Sequence, residues 1–248
     1  MTLDYCPLCE KHDVELQISH VIPNAIFKKV KDNGKAFEIK TADNDVIPTQ
    51  KSWADKMLCR ACEQVLNTQY EDQSIRALRQ AAKAPRVNNC LNMPLRNTLS
   101  MAYFILSMAW RASKSKNEAY EDISFPEEFE ILIAKILKKP SNEIFKLFSF
   151  RISYLCDGRG YFNKETIKNF LVKPYTESVE DRQMAVVFTF EGYRLEFILP
   201  VLSDEAKRSD GVLYPHCENL LIPKIDIFED ETLRESMLMA ATVVKEAK

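Results

Sequence analysis

Glycine is scarce in this chain, at only 5 of 248 residues. The loops that wrap a nucleotide phosphate need glycine at fixed positions, and neither GxGxxG nor GxxxxGK followed by Ser or Thr occurs. The longest apolar run, residues 99–110, is 12 residues long, whereas a membrane-spanning helix needs roughly 20. The chain also starts without a basic segment followed by an apolar one. We therefore expect a soluble, cytoplasmic protein with no membrane span and no common nucleotide-binding loop.

The net charge is also close to zero, because the chain has 34 basic and 36 acidic residues. These charges are unevenly distributed along the sequence. Residues 73–117 contain no Asp or Glu, whereas residues 118–248 carry 17 basic and 24 acidic groups, a net of −7. Such asymmetry suggests an anionic partner for the middle of the chain. We expect this partner to be nucleic acid, and DNA rather than RNA. The candidate contacts are Arg76, Arg79 and Lys83. The alternative is that these side chains point in different directions and form no patch.

Four of the seven cysteines form two Cys-x-x-Cys pairs, Cys6 with Cys9 and Cys59 with Cys62. Thiolates are good zinc ligands, and two ligands separated by two residues can close on one ion without strain. Four thiolates complete a tetrahedral shell and leave no position for water, so we predict a structural zinc site whose binding energy is folding energy. The alternatives are a chance pair of motifs or a redox dithiol.

Hydrophobic periodicity predicts an α+β protein in three segments. Residues 1–84 form a zinc-organised domain, residues 85–150 a helical segment, and residues 151–248 an α+β domain of unknown role. In the first domain, Val14, Leu16 and Ile18 alternate with polar residues, and His20 continues their face. Helices are predicted over 24–31, 63–83, 95–111, 126–138, 141–150 and 231–246. Strands are predicted over 151–156, 183–190, 193–200 and 220–227, with a hairpin at residues 191–192.

Residues 18–23 read ISHVIP, and residues 58–63 read LCRACE. Their order and spacing resemble the zinc-containing HNH endonucleases, which have a ββα-metal or treble-clef fold. In that family a CxxC turn leads into a strand with an Asp-His segment, and a later CxxC pair opens the helix. The resemblance covers residues 5–72, under a third of the chain. It implies a small ββα unit at the start of the α+β chain, and a setting in bacterial defence or mobile elements.

The resemblance also implies roles for individual residues. The strand histidine of the family is a general base that activates water against a phosphodiester, with one divalent ion, Mg²⁺ or Mn²⁺, beside it; this role maps onto His20. The sequence departs from the family pattern at Ser19, which replaces the usual acid, and at Glu63, which replaces a histidine. Glu63, Asn67 and Glu71 are spaced to share one helix face, so we predict that Glu63 and Asn67 help to rebuild the catalytic site.

Each of these residues also has a structural explanation. His20 fits a core histidine bonded to a backbone carbonyl, and Glu63 is favoured at a helix start by the helix dipole. Asn67 and Glu71 fit a solvated helix face. The competing functions are therefore a metal-dependent nuclease and a catalytically inactive adaptor that binds nucleic acid or protein. A third hypothesis is that the C-terminal domain docks a protein partner or senses a ligand while the zinc unit acts.

Overall fold

The computed structural model describes residues 3–32, 37–40, 45–48, 52–179 and 183–246. The α-helices within these ranges are α1 Asn24–Asp32, α2 Arg60–Leu66, α3 Asp72–Ala81, α4 Thr98–Lys114, α5 Glu127–Lys138, α6 Ile144–Leu147, α7 Lys164–Lys168 and α8 Glu231–Glu246. The strands are β1 Leu16–His20, β2 Phe37–Lys40, β3 Asp45–Pro48, β4 Ala54–Cys59, β5 Arg86–Val87, β6 Cys90–Pro94, β7 Ser149–Cys156, β8 Phe170–Ser178, β9 Met184–Phe190, β10 Tyr193–Leu199, β11 Asn219–Ile222 and β12 Lys224–Asp226.

A π-helical turn, Asn67–Glu71, joins α2 to α3, and 3-10 turns lie at Glu118–Tyr120 and Ala206–Arg208. This mixture of helices and strands confirms the predicted α+β class. None of the described helices is long and apolar enough to cross a membrane.

The strands form three sheets. The largest has seven strands in the order β12-β7-β10-β9-β8-β2-β3, and β11-β6-β5 and β1-β4 form two smaller sheets. The β9–β10 hairpin turns at Glu191 and Gly192, which both have positive φ, as predicted from the sequence. Strand β2 pairs with β8, and β6 pairs with β11. The beginning and middle of the chain are therefore both hydrogen-bonded to its C-terminal part.

The seven-stranded sheet separates two apolar cores because neighbouring residues of a strand point to opposite faces. In β9, Val186 and Phe188 belong to the larger core, whereas Ala185 and Val187 belong to the smaller one. The larger core extends from Cys6 through α4 to this sheet and on to β11, and the smaller one includes the buried side of α8. The three predicted domains thus share contacts, and their boundaries stay a prediction.

Helix α4 is the centre of the larger core. Its sequence is apolar almost all round, and every residue from Ser100 to Ala112 is buried. Trp110 donates a hydrogen bond from Nε1 to the carbonyl of Glu130 on α5, at 3.0 Å, which satisfies the indole N–H inside the core. The helix predicted over residues 95–111 is thus present, and its nearly continuous apolar sequence, which predicts burial on all sides, agrees with its central position.

Several predicted boundaries differ from the structure. The helix predicted over residues 141–150 ends at Leu147, because Phe148 is extended and Ser149 begins β7. Pro85 and the polar residues after it predict the end of a helix and a domain boundary near residues 84–92. In the structure this segment contains the β5–β6 hairpin, whose turn residues Asn88 and Asn89 have φ of 48° and 66°. The sequence also predicts a turn at residues 32–35 and a polar loop at 40–53. Both lie partly outside the described residues, and within that loop residues 45–48 form β3.

Candidate metal centre and the polar cluster beside it

The four predicted zinc ligands come together in the structure. The sulfur atoms of Cys6, Cys9, Cys59 and Cys62 all lie within 4.8 Å of one another, and the Cys9 and Cys59 sulfurs are 3.7 Å apart. Sulfur ligands at about 2.3 Å from a tetrahedral zinc ion would be separated by similar distances. The cluster can therefore hold one structural metal ion such as zinc, with four protein ligands and no open position. Within the described part of the chain, this is the one group of three or more His, Cys, Asp or Glu side chains placed to hold a metal.

Local structure places each cysteine. Cys6 and Cys9 lie in a tight turn that the Glu10 N–H closes onto the Cys6 carbonyl, at 2.8 Å, with Glu10 at a φ of 62°. Cys59 ends β4, and Cys62 lies in the first turn of α2. The Cys59 N–H also points to the Cys6 sulfur, at 3.4 Å. Backbone N–H groups stabilise thiolate charge, so the fold favours the ligand form of this sulfur.

The sulfur atoms also influence one another's ionisation. A hydrogen bond from Cys62 lowers the pKa of Cys6 to about 4, and the same hydrogen bond raises the pKa of Cys62. Thiolates are the ligand form of cysteine, so metal binding should release the protons that the sulfur atoms carry.

The two-stranded sheet and the following helix form a β-β-α arrangement around the cysteines. Strand β1 runs antiparallel to β4, with Ser19 opposite Asp55 and His20 opposite Ala54, and α2 follows β4 without a break. The register shifts between Gln17 and Ile18, which pair with Leu58 and Lys56, so the extra residue of this bulge is Met57 on β4.

The inward face of β1 differs from the expectation from the sequence. A single buried face was predicted through Val14, Leu16, Ile18 and His20, but Ile18 is 65% exposed whereas Ser19 is only 1% exposed. Near the end of β1, Ser19 and not Ile18 therefore points inward.

His20 is the last residue of β1 and is partly buried. Its ring lies 6.2 Å from the ring of Phe27 on α1, and its carbonyl oxygen accepts a hydrogen bond from Arg111 Nη1 at 2.7 Å. The backbone of this histidine is therefore held by α4.

Ser19 and Glu63 are in direct contact. The Ser19 hydroxyl donates to Glu63 Oε2 at 2.7 Å, which links the inward side of β1 to the first turn of α2. Burial raises the pKa of the Glu63 carboxyl, although the positive charge of Arg111 and the Ser19 hydrogen bond work in the opposite direction. The Glu63 side chain thus contacts the strand that ends at His20.

Arg111 and Glu71 form a buried ion pair beneath this site. Arg111 Nη2 lies 2.6 Å from Glu71 Oε1, and the two side chains are 1% and 7% exposed. Arg111 Nε also donates to the Ser107 carbonyl at 3.3 Å. We call Ser19, His20, Glu63, Glu71 and Arg111 the His20 cluster. Arg111 did not stand out in the sequence, since only its place in the acid-free stretch marked it.

Asn67 lies apart from these groups. It is exposed, whereas Glu63 is partly buried and Glu71 is buried. The backbone N–H of Asn67 reaches the Glu63 carbonyl, so Asn67 lies one α-helical turn after Glu63, and the π-helical turn that begins at Asn67 changes the helix phase only for later residues such as Glu71. No described contact links the Asn67 side chain to the His20 cluster, so its role stays a prediction.

The three predicted nucleic-acid contacts have different surroundings. Arg76 is exposed and pairs with Asp72 at 3.5 Å, one turn away, and Lys83 is exposed. Arg79 instead binds Glu191 through two nitrogen atoms, at 3.1 and 2.6 Å, at the tip of the β9–β10 hairpin. Lys29 reaches the same carboxylate at 2.9 Å, and these two cations hold the pKa of Glu191 below its usual range although its burial works against ionisation. Much of the Arg79 charge is thus balanced inside the protein.

Comparison with known proteins adds no name to this arrangement. No protein-family model matches the chain, and no curated protein or solved structure matches it either. The function of the protein is therefore inferred from the residues of the site.

Proposed function

We propose that the protein is a metal-dependent endonuclease of the HNH type that hydrolyses phosphodiester bonds in nucleic acid. One observation carries the proposal: in the unit formed by the cysteine cluster, the antiparallel β1–β4 pair and α2, the Glu63 carboxylate contacts Ser19, the residue next to the strand-end histidine His20. Fold alone never establishes an activity, but a histidine and a carboxylate held by neighbouring elements are suited to metal-assisted hydrolysis. Cysteine ligands need a reducing compartment, which fits a cytoplasmic enzyme.

His20 serves as the general base. The neutral imidazole takes a proton from a water molecule as that water attacks phosphorus, and the pKa of free histidine near 6.5 suits this task at neutral pH. Arg111 donates a hydrogen bond to the His20 carbonyl at 2.7 Å, which fixes the backbone from which the imidazole projects. Positioning of this kind lowers the entropic cost of reaching the transition state.

The oxygen atoms of Glu63 and Ser19 are the candidate ligands for a catalytic ion. Mg²⁺ and Mn²⁺ prefer oxygen ligands, and Mg²⁺ is commonly held by one or two carboxylates together with water and substrate phosphate. Glu63, with the Ser19 hydroxyl at 2.7 Å, fits that requirement at its lower limit. When bound, a divalent ion stabilises the negative charge that develops on the leaving oxygen. Glu71 is already engaged by Arg111 and supplies no free carboxylate.

A second candidate function is a zinc-stabilised adaptor that binds nucleic acid or protein without cleaving it. The observation that favours it is the Ser19–Glu63 hydrogen bond, which stands where the family has an acid and a histidine. A hydroxyl is a weaker ligand for a hard cation than a carboxylate. The two candidates share the structural metal centre and differ in whether a catalytic ion binds.

The deciding experiment is a cleavage assay on plasmid DNA, single-stranded DNA and RNA, with Mg²⁺ or Mn²⁺ added to the zinc-loaded protein. The His20→Ala variant is compared with wild type, and His216→Ala is the matched control, because His216 is exposed in the loop before β11. Cleavage that is lost in His20→Ala but kept in His216→Ala supports the endonuclease, provided that zinc content and melting temperature are unchanged. Cleavage that survives in His20→Ala refutes the assigned base. Nucleic-acid binding without cleavage by any divalent ion favours the adaptor.

A further inference from the structure

A cleft between α3 and the start of α4 lies outside the His20 cluster. Its volume is about 440 Å³, and its polar lining consists mainly of Gln73, Arg76, Gln80, Arg96, Asn97 and Ser100. The remaining walls are partly apolar, with Ala77, Pro94, Leu95 and Met101 among the lining residues.

The charge of this cleft has one sign. It is lined by two arginines and, among the residues that the structure describes, by no Asp or Glu. Arg96 is exposed and forms no ion pair within the described residues. Arg76 has an exposed partner, Asp72, at 3.5 Å, and a solvent-exposed pair of this kind is weak enough to exchange for another anion. A concave surface with low-dielectric walls concentrates the field of its charges and attracts anions.

We propose that this α3–α4 cleft binds a phosphate group of the nucleic-acid backbone, with Arg76 and Arg96 as its cationic contacts. This proposal rests on the proposed function and extends it, because it names a second place, outside the His20 cluster, where the bound strand contacts the protein. Guanidinium groups recognise phosphate well because they offer paired N–H donors in a planar fork. The amide and hydroxyl groups of Gln73, Gln80 and Ser100 add uncharged donors of the kind that often contact phosphate oxygens.

Helix α4 sets the distance between the cleft and the His20 cluster. Asn97 precedes its first turn and Arg111 lies in its last one, so the two sites are about 20 Å apart at a rise of 1.5 Å per residue. Phosphates follow one another at about 3.4 Å of helix axis along one strand of a duplex, so this distance equals roughly six nucleotides. A bound strand of about six nucleotides is therefore long enough to span the two sites.

Arg79 is not part of the cleft, which separates this inference from the simple basic-stretch prediction. The Arg79 guanidinium faces Glu191 and the Ala25 carbonyl, at 2.6 and 3.2 Å. Its removal would disturb an internal ion pair as well as the surface charge. The informative variant is instead Arg76→Gln with Arg96→Gln. Both side chains are exposed, and glutamine removes the positive charge while it keeps a polar group at each position.

The test is fluorescence anisotropy with a labelled oligonucleotide, both single-stranded and as a duplex, in buffer free of added divalent ions. The matched control is Arg208→Gln with Arg234→Gln, which removes two exposed arginines from elsewhere on the surface. If two phosphate contacts are lost, the slope of log affinity against log salt becomes shallower by about 1.8 for duplex and about 1.4 for single strand. Between 50 and 200 mM salt, wild type then loses about tenfold more duplex affinity than the cleft variant.

A slope unchanged from wild type in the cleft variant overturns the proposal, as does an equal change in the control, which would reflect net charge alone. Absence of oligonucleotide binding by wild type also overturns it. Inorganic phosphate is added as a competitor. If phosphate weakens oligonucleotide binding by wild type but not by the cleft variant, the site is supported. Phosphate binding in the cleft together with unaltered oligonucleotide binding assigns the cleft to a free phosphate compound and refutes the strand path.

The two proposals can fail separately. If wild type cleaves and His20→Ala does not, while the cleft variant binds as wild type does, the cleft assignment falls and the endonuclease stands. If no divalent ion supports cleavage but binding depends on Arg76 and Arg96, the endonuclease falls and the cleft stands.

Discussion

The substitution Arg111→Met should be among the most destabilising changes at the His20 cluster. The guanidinium is 1% exposed and lies 2.6 Å from the Glu71 carboxylate, which is 7% exposed. Methionine fills much of the volume but leaves that carboxylate buried without a partner, and breaking a buried pair in this way costs about 3–5 kcal/mol. Loss of the hydrogen bond to the His20 carbonyl adds about 1 kcal/mol. We expect the free energy of unfolding to fall by about 5 kcal/mol.

The double variant Arg111→Met with Glu71→Met separates these contributions. With both charges gone, no buried carboxylate is stranded, and buried ion pairs replaced by apolar residues of similar volume are often tolerated. What remains is the unpaired His20 carbonyl and imperfect packing, about 1–2 kcal/mol. The double variant should therefore be about 3 kcal/mol more stable than Arg111→Met alone.

Urea unfolding followed by circular dichroism, with zinc at a fixed excess, measures all three proteins. A loss below about 1 kcal/mol in Arg111→Met would mean that the pair is not buried as described. A double variant that is as unstable as the single one would show that the stranded Glu71 charge is not the cause. In either case the account of how α4 supports His20 would be refuted.

Three further outcomes follow from the structure. Cys59→Ser should lower zinc, measured by mass spectrometry, from one ion per chain towards none and lower the melting temperature; full zinc content would contradict the four-cysteine site. Glu191→Gln should lower the free energy of unfolding by about 2 kcal/mol at pH 7. Because the folded-state pKa of Glu191 lies below the usual 4.5, the difference between the variant and wild type should disappear as the pH falls below 4.5 and the wild-type carboxylate is protonated. A difference in urea unfolding that does not change with pH would refute the ion-pair account. Gly211→Ala should destabilise more than Gly160→Ala, since both have positive φ but only at Gly211 would the methyl group meet a backbone oxygen, at 2.4 Å; equal melting temperatures would argue against that clash.

The cysteine cluster was predictable because each half of its pattern lies within four consecutive residues. Each Cys-x-x-Cys pair brings two sulfur atoms close by its own turn, and the chemistry of thiolates then favours the joining of the two pairs. The long amphipathic and apolar helices were predictable for a similar reason, since their periodicity is contained in one segment. The last helix, α8 Glu231–Glu246, begins and ends where the sequence places it.

The His20 cluster was only partly predictable, because alternation and helical spacing do not show which face of an element the rest of the fold covers. Alternation predicts Ile18 inside, but in the structure Ser19 is buried and Ile18 is exposed. Helical spacing places Asn67 one turn after Glu63, and its backbone N–H does reach the Glu63 carbonyl, yet Asn67 is exposed. The bulge at Met57 and the π-helical turn Asn67–Glu71 contain no glycine or proline that would mark them in the sequence.

Contacts between distant parts of the chain were beyond sequence reasoning. Nothing near Arg79 indicates that its partner is Glu191, 112 residues later. Likewise β2 joins the large sheet by pairing with β8, and four residues of ordinary composition cannot specify that partner. Such pairings depend on the whole fold, since each becomes favourable only after the surrounding core has formed.

Two independent anchors hold the strand that carries His20. The cysteine cluster ties the turn before β1 to the end of β4 and the start of α2. Arg111, 91 residues from His20 along the chain, holds the other end of β1 through the His20 carbonyl. Removal of the metal would release the first anchor and leave the second, whereas loss of Arg111 would do the reverse. Loss of cleavage in a His20 variant therefore reports on chemistry only when both anchors are intact, which is why zinc content and unfolding free energy must be measured on the same protein preparation as cleavage.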